Sequence, residues 1–304
     1  MITKNRPVCV LGAGGFLGSA ICEALSRNGV PWVGVSTSKQ GGNLVQLADG
    51  DAQALARVLS SSDIVINASG RLKPLDFESN PAGALSDYWD AQQYFSEAYK
   101  ASGIKYIVHI SSAGTVYGES ISGIPHSEED CLNPISWYGR AKVLEEMWYE
   151  NLCRRKGVKY LCVRVSNPFG NTRMTNHGFI DVFLHRILNK ESVSVYKDVD
   201  PARDFIHAGD MAETIYNLIA QNNDGCYNVG SGVSIRLSEV VEFACSKVVE
   251  SIPVLKELEH KGFDVVNSSI DISKVKEIGA LSSNISVFDY IEDFLERYKV
   301  PCRK

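Results

Sequence analysis

The chain has 304 residues, 44% of them hydrophobic and 22% charged, which suits one large α/β domain or two interlocked ones and carries none of the bias of long disorder. Its 31 Lys and Arg against 36 Asp and Glu leave a net charge of −5, so the basic stripe of a nucleic-acid partner is not expected. No apolar run reaches the roughly 18 residues of a membrane span. The eight cysteines are scattered without a C-x-x-C spacing and read as small buried residues of a cytoplasmic protein rather than as metal ligands or a redox pair.

Taken in chain order, the first 165 residues alternate β-rich runs with helical patterns. Lys4 and Arg6 precede a mostly apolar run from Pro7 to Leu25, but four glycines between Gly12 and Gly18 argue against a secretion signal. Pro7–Leu11 is the first expected strand and Ser19–Asn28 the first helix. Trp32–Val35 and Leu44–Leu47 are the second and third strands. Asp63–Asn67 is the fourth, after a helix over Ala52–Leu59, and Lys105–Ile110 the fifth, after a helix through Tyr94–Lys100. Tyr160–Val165 is the sixth, after a helix from Tyr138 to about Arg155. This rhythm predicts right-handed crossovers and a Rossmann-type, doubly wound parallel sheet. Beyond Val165 the rhythm breaks. Asn167–His177, with its Pro, Gly, Asn and Thr, reads as loop. Helices are expected over Phe179–Asn189, Asp210–Ala220, Glu239–Val249 and Val287–Tyr298, with a strand at Cys226–Val229. The expected division is a dinucleotide-binding part over 1–165, to which 205–230 returns, and a smaller lobe from 166–204 and 231–304.

The first strand runs into Gly12-Ala-Gly-Gly15-Phe16-Leu17-Gly18, a G-x-x-G-x-x-G turn that opens a helix. Glycine lets the backbone turn tightly and approach a pyrophosphate, and the helix N-terminus offers free N–H groups to it. Tyr138 and Lys142 form Y-x-x-x-K, which puts both side chains on one helix face. A phenol titrates near pH 10, and a neighbouring ammonium stabilises its phenolate, bringing acid–base work toward neutral pH.

These motifs resemble the short-chain dehydrogenase/reductase superfamily, in its extended branch, the NAD-dependent epimerase/dehydratase family acting on nucleotide sugars. The resemblance runs nearly end to end. It is carried also by Pro125-His-Ser-Glu128 ahead of Pro134 and Tyr138-Gly139, by Ser111-Ser-Ala-Gly-Thr-Val-Tyr-Gly118, by Asn167-Pro-Phe-Gly170, by Arg203-Asp-Phe-Ile with Asp210, and by Tyr227-Asn-Val-Gly-Ser-Gly232. It implies that Tyr138 and Lys142 are catalytic and also touch the cofactor. The implied cofactor site is Gly12, Gly15, Phe16, Leu17 and Gly18, with Asp49 at the adenine and Ala68-Ser69-Gly70 over the dinucleotide. The second strand ends Ser36-Thr37-Ser38-Lys39 without the acid of NAD enzymes; hydroxyls and a Lys suit a 2′-phosphate, so NAD and NADP both stay open.

The family's hydroxyl, four residues before the Tyr of V-Y-G, is here Ala113, so the role passes to Ser112 or Thr115. Asn167, Arg203, Lys261 and Asp264 are the implied substrate contacts. Lys261 stands where an Arg is usual, and His177 lies near a second acid/base of some relatives but reads as a polar loop residue. The Asp-Glu pair of 4,6-dehydratases is replaced by Gly114 and Thr115, and the Cys of 3,5-epimerase/reductases is missing from this loop. The resemblance therefore implies a nucleotide-sugar 4-epimerase, with an NADPH-dependent 4-ketoreductase as the alternative and a non-catalytic NADP sensor as a third reading. A homodimer and a nucleotide-diphosphate sugar are the implied partners.

Overall fold

The computed structural model describes the chain apart from residues 1, 3–5, 39, 49, 71, 172–177, 249–255, 261 and 301–304. The candidate residues Lys39, Asp49, His177 and Lys261 lie outside the described residues.

The first half follows the expected alternation: β1 (Val8–Leu11), α1 (Phe16–Arg27), β2 (Trp32–Ser36), β3 (Leu44–Gln46), α2 (Ala52–Leu59), β4 (Ile64–Asn67), α3 (Pro74–Ser79), α4 (Pro81–Lys100), β5 (Tyr106–Ser112), α5 (Ala113–Val116), α6 (Trp137–Lys156) and β6 (Lys159–Val165). The second half holds β7 (Asn167–Phe169), α7 (Phe179–Leu188), β8 (Ser194–Tyr196), β9 (Ala202–His207), α8 (Ala208–Ala220), β10 (Gly225–Val229), β11 (Ser234–Arg236), α9 (Leu237–Lys247), β12 (Lys256–Leu258), β13 (Asn267–Ser268), α10 (Ser273–Glu277) and α11 (Val287–Arg297).

Three expectations are corrected. The first helix begins at Phe16 rather than Ser19, with Gly15 as its N-cap. The helix expected at Tyr94 begins at Pro81, where Asn80 caps it and Pro sits in the first turn. The segment expected as loop from Asn167 opens with β7, which pairs parallel with β9 at Asn167↔Phe205 and Phe169↔His207. A three-residue strand is too short to show periodicity, and β7 pairs with β9 alone, where Pro168 is tolerated.

Seven strands form one parallel sheet in the order β10-β6-β5-β4-β1-β2-β3. The order reverses between β1 and β4, which places a crevice at the carboxyl ends of those strands. Strand alternation divides the packing. Val8 and Val10 join Ile21 and Leu25 of α1 and Met211 and Ile215 of α8 on one face. Cys9 and Leu11 join Leu55 and Leu59 of α2, Phe95 and Tyr99 of α4 and Tyr149 of α6 on the other. A sheet covered on both faces explains why its strands read as continuous apolar runs. Phe169, Ile180, Phe183, Leu184, Phe205, Val240 and Ile291 make a further core under the small sheet built around β9. Cys9, Cys22, Cys153 and Cys162 are buried.

Candidate active site

The glycine turn sits at the reversal of strand order. Gly12 has φ +75, and a Cβ there would stand 2.6 Å from the Ala68 carbonyl oxygen. At Gly18 a Cβ would stand 2.2 Å from the Gly12 carbonyl, so the helix packs onto its own entry turn. Ala68 and Ser69 are thus brought against the glycine turn. A residue not foreseen holds them there: Asn67 accepts from the Ser69 N–H at 3.1 Å and from the Ser69 hydroxyl, and donates to Tyr149 Oη at 3.0 Å. The end of β2 is a polar turn in which Ser36 Oγ accepts from the Ser38 N–H at 3.3 Å, and the Thr37 carbonyl accepts from Gln46. A narrow backbone cradle beside the first turn of a 12-residue helix fits a dinucleotide pyrophosphate.

Tyr138 and Lys142 lie on α6, whose start is fixed from two sides. Ser136 Oγ caps it by accepting from the Gly139 N–H at 3.0 Å, and Glu78 of α3 accepts from the Trp137 N–H at 2.7 Å. At Gly139 a Cβ would stand 2.6 Å from the Thr115 carbonyl oxygen, so only glycine lets α6 meet α5 this closely. That contact brings the Tyr138 turn to the end of β5, where Ser112 and Thr115 stand. Tyr138 packs edge-on against Phe77 of α3 at 5.6 Å, which in turn meets Tyr88 of α4.

Lys142 is 7% exposed, buried rather than on a solvated face. Its ammonium donates to Glu145 Oε2 at 2.8 Å and to the Ile110 carbonyl at 3.3 Å. Burial opposes its charge, but Glu145, with Tyr138 and Glu146 adding, holds it above the ordinary lysine value. Glu146, the next residue, belongs to a separate tie. It receives Arg164 through Nε at 3.1 Å and Nη2 at 2.8 Å, and accepts from the Ser111 hydroxyl. Arg164 also donates to Tyr117 Oη at 2.8 Å, and Tyr117 donates to Asn228 Oδ1 at 2.7 Å. Ser111 is therefore committed to the framework. Thr115 Oγ1 turns back to the Ser112 carbonyl at 3.3 Å.

On the substrate side, Asn167 borders the same loop: a Cβ on Gly114 would stand 3.5 Å from its Nδ2, which donates to the Asp204 carbonyl at 2.9 Å. Arg203 is 9% exposed and already bonded. It donates through Nη1 to the Val266 carbonyl at 2.7 Å and through Nη2 to Asp264 at 3.2 Å. The structure thus joins Arg203 and Asp264 in one ion pair, with the Asp264 side chain 45% exposed. The other matched motifs fasten the lobe. Asp204 accepts from the Ser231 N–H at 2.9 Å and the Gly232 N–H at 2.7 Å, Asp210 from Asn284 and Ile285, and Glu128 from the Asn228 N–H at 2.7 Å. Their sequence signal was present in the motifs; that they act as backbone ties was not. Among the described residues no cluster of His, Cys, Asp and Glu could hold a metal, and no helix is long and apolar enough to cross a membrane.

The sequence model of the NAD dependent epimerase/dehydratase family matches residues 8–230. A dTDP-4-dehydro-6-deoxyglucose reductase of Escherichia coli is 26% identical over 261 residues, covering 80% of this chain and 82% of that protein. A putative UDP-glucose 4-epimerase of Methanocaldococcus jannaschii is 25% identical over 287 residues, covering 90% and 92%. The solved structure of a UDP-glucose 4-epimerase with UDP-glucose from Thermotoga maritima shares the fold at a TM-score of 0.84, with 23% identity and coverage of 96% and 98%.

Proposed function

The chain belongs to the NAD-dependent epimerase/dehydratase family, and from that premise we propose that it is an NAD(P)-dependent enzyme that moves a hydride at C4 of a nucleotide-diphosphate sugar. The observation that carries this reading is Tyr138 and Lys142 on one face of α6, held at the end of β5 by the close fit of Gly139 to Thr115. Gly12, Gly15, Phe16, Leu17 and Gly18, with the Ala68-Ser69-Gly70 turn, would hold the dinucleotide, which when bound would accept and return the C4 hydride. Tyr138 takes the proton of the 4-hydroxyl as the sugar is oxidised and gives one back as the ketone is reduced. Lys142 stabilises the phenolate between those steps. Ser112 bonds the same sugar oxygen and orients it. Asn167, Arg203 and Asp264 face the nucleotide sugar. The part formed by residues 1–165 with 205–230 serves the dinucleotide, and 166–204 with 231–304 serves the sugar nucleotide.

A 4-epimerase is the first reading, since Gly114 and Thr115 offer no acid–base pair for eliminating water. The 4-ketoreductase is favoured by one observation, the end of β2, where Ser36 and Thr37 bring no carboxylate to a ribose. An epimerase recovers its own hydride and gains by retaining its dinucleotide; a reductase must release the oxidised form each turn. The test is to purify the protein without added cofactor, denature it and assay the supernatant. Stoichiometric NAD with interconversion of a sugar-nucleotide pair supports the epimerase. No dinucleotide, with NADPH consumed only when a 4-keto sugar nucleotide is supplied, replaces it with the reductase. On α6, Leu144 and Met147 are 51% and 61% exposed, which supports a homodimer through this helix, checked by sedimentation.

A further inference from the structure

Behind Tyr138 and Lys142 lies a carboxylate to which the proposed reaction gives no part. Glu145 is one turn along α6 from Lys142 and 2% exposed. A single oxygen, Oε2, takes the Lys142 ammonium at 2.8 Å and the Tyr88 hydroxyl from α4. Nε2 of His109 on β5 stands 3.1 Å from the same oxygen, at ion-pair distance but off the hydrogen-bonding angle. Nδ1 of His109 lies 3.1 Å from Tyr160 Oη. The groups that face this cluster are Tyr88 from α4, His109 from β5, and Tyr138, Glu146 and Tyr149 from α6. Glu78 of α3 is engaged with the Trp137 N–H and Arg164 of β6 with Glu146.

Two consequences follow from this geometry. An ammonium has three donors, and Glu145 and the Ile110 carbonyl take two of them, so Lys142 is anchored in the seam between α6 and β5. Burial alone opposes the ammonium's charge, and the Glu145 carboxylate sustains it, so that a charged Lys142 can favour the phenolate of Tyr138. We propose that Glu145 is a positioning residue that anchors Lys142 and keeps its ammonium charged in the buried seam, so that Lys142 can stabilise the Tyr138 phenolate left by the reduction half-reaction. In that step the hydride reaches the C4 carbonyl carbon, the C=O π electrons move to O4, and O4 takes the proton from Tyr138, which is left as phenolate. Burial works against the Glu145 charge, yet Lys142 and His109 hold it well below the usual carboxylate range, so the pair stays charged across the working range. The inference rests on Tyr138 being the proton carrier, which the epimerase and the ketoreductase share.

The test is Glu145→Gln, nearly the same shape and still an acceptor for Lys142. Phenolate absorbance is followed through an alkaline titration, and the curve of the matching Tyr138→Phe protein is subtracted, in the native and in the Glu145→Gln background. This readout needs no substrate. The Tyr138 signal is expected to emerge higher by about one pH unit or more in Glu145→Gln, as burial then discharges Lys142. A signal that does not move, or that emerges at lower pH, overturns the proposal. If Glu145→Gln does not fold, as judged by circular dichroism, Glu145→Asp withdraws the carboxylate from the ammonium and is expected to shift the signal the same way by less; no shift there overturns it equally. Failure of the C4 reading would show instead as missing turnover with the titration shift intact.

Discussion

Three hydroxyls, those of Ser111, Ser112 and Thr115, stand at the end of β5 and in α5, where the proposed reaction needs one. Ser111 is spent on Glu146, and Thr115 donates back to the Ser112 carbonyl at 3.3 Å. That favours Ser112 as the hydroxyl proposed for the sugar oxygen. Ser112→Ala is expected to lower kcat by about 100-fold and Thr115→Val by less than about tenfold, compared at saturating substrate; the opposite ranking moves the role to Thr115. Arg203 carries a second prediction. Its guanidinium is shared between Asp264 and the Val266 carbonyl, so Arg203→Ala is expected to raise KM for the nucleotide sugar and also to lower the melting temperature, with dinucleotide affinity unchanged. Weakening of both ligands alike would confine Arg203 to a structural ion pair. At this scale, Tyr138 and Lys142 were legible because helix geometry alone puts positions four apart on one face. Glu145 was not. In sequence it is one more charge on a polar helix, and only the packing of α4 over α6 buries it against Tyr88 and His109.

The elements of the first half were legible for the same reason that they are stable. β1, β4, β5 and β6 are apolar on both faces, and their β-branched runs stand out between helices. The small strands were not legible. β8, β11, β12 and β13 have three residues or two, and their register comes from β9 and from one another rather than from any pattern of their own. The join of β1 to α1 is the element-scale test. A Cβ at Gly18 would meet the Gly12 carbonyl, which is backbone and cannot swing aside. Gly18→Ala is expected to weaken dinucleotide binding more than tenfold and to cost about 1–3 kcal/mol of stability, the usual scale of overpacking. Fluorescence titration with NADH and NADPH, with a thermal melt beside it, checks both. Unchanged affinity for both would remove the glycine turn from the cofactor site.

Across the whole molecule, the sheet holds α6 and the glycine turn at its carboxyl edge, while β9 and its partners carry Arg203 and Asn167 toward the same crevice. Asn228 of β10 donates to the His126 and Asp271 carbonyls, and Asp204 of β9 accepts from the Ser231 and Gly232 N–H groups. In the proposed reaction Tyr138 would act between a dinucleotide and a sugar nucleotide. The family and the sheet were readable from strand rhythm and glycine spacing. The reaction was not, because epimerase and reductase use the same three side chains and differ in how firmly the dinucleotide is kept. The measurement that tests the central claim most directly is isotopic. The protein is incubated with UDP- and dTDP-hexoses carrying deuterium at C4, with NAD and with NADP, and the products are read by mass spectrometry. Deuterium is expected to pass from C4 to the dinucleotide, or through it to C4 of the epimer, without loss to water, and to do so at least about 100-fold more slowly in Tyr138→Phe. A protein that neither forms a C4 epimer nor passes deuterium to the dinucleotide with any sugar offered, deuterium that washes out into solvent, or a Tyr138→Phe protein that transfers it at the native rate would contradict this reading.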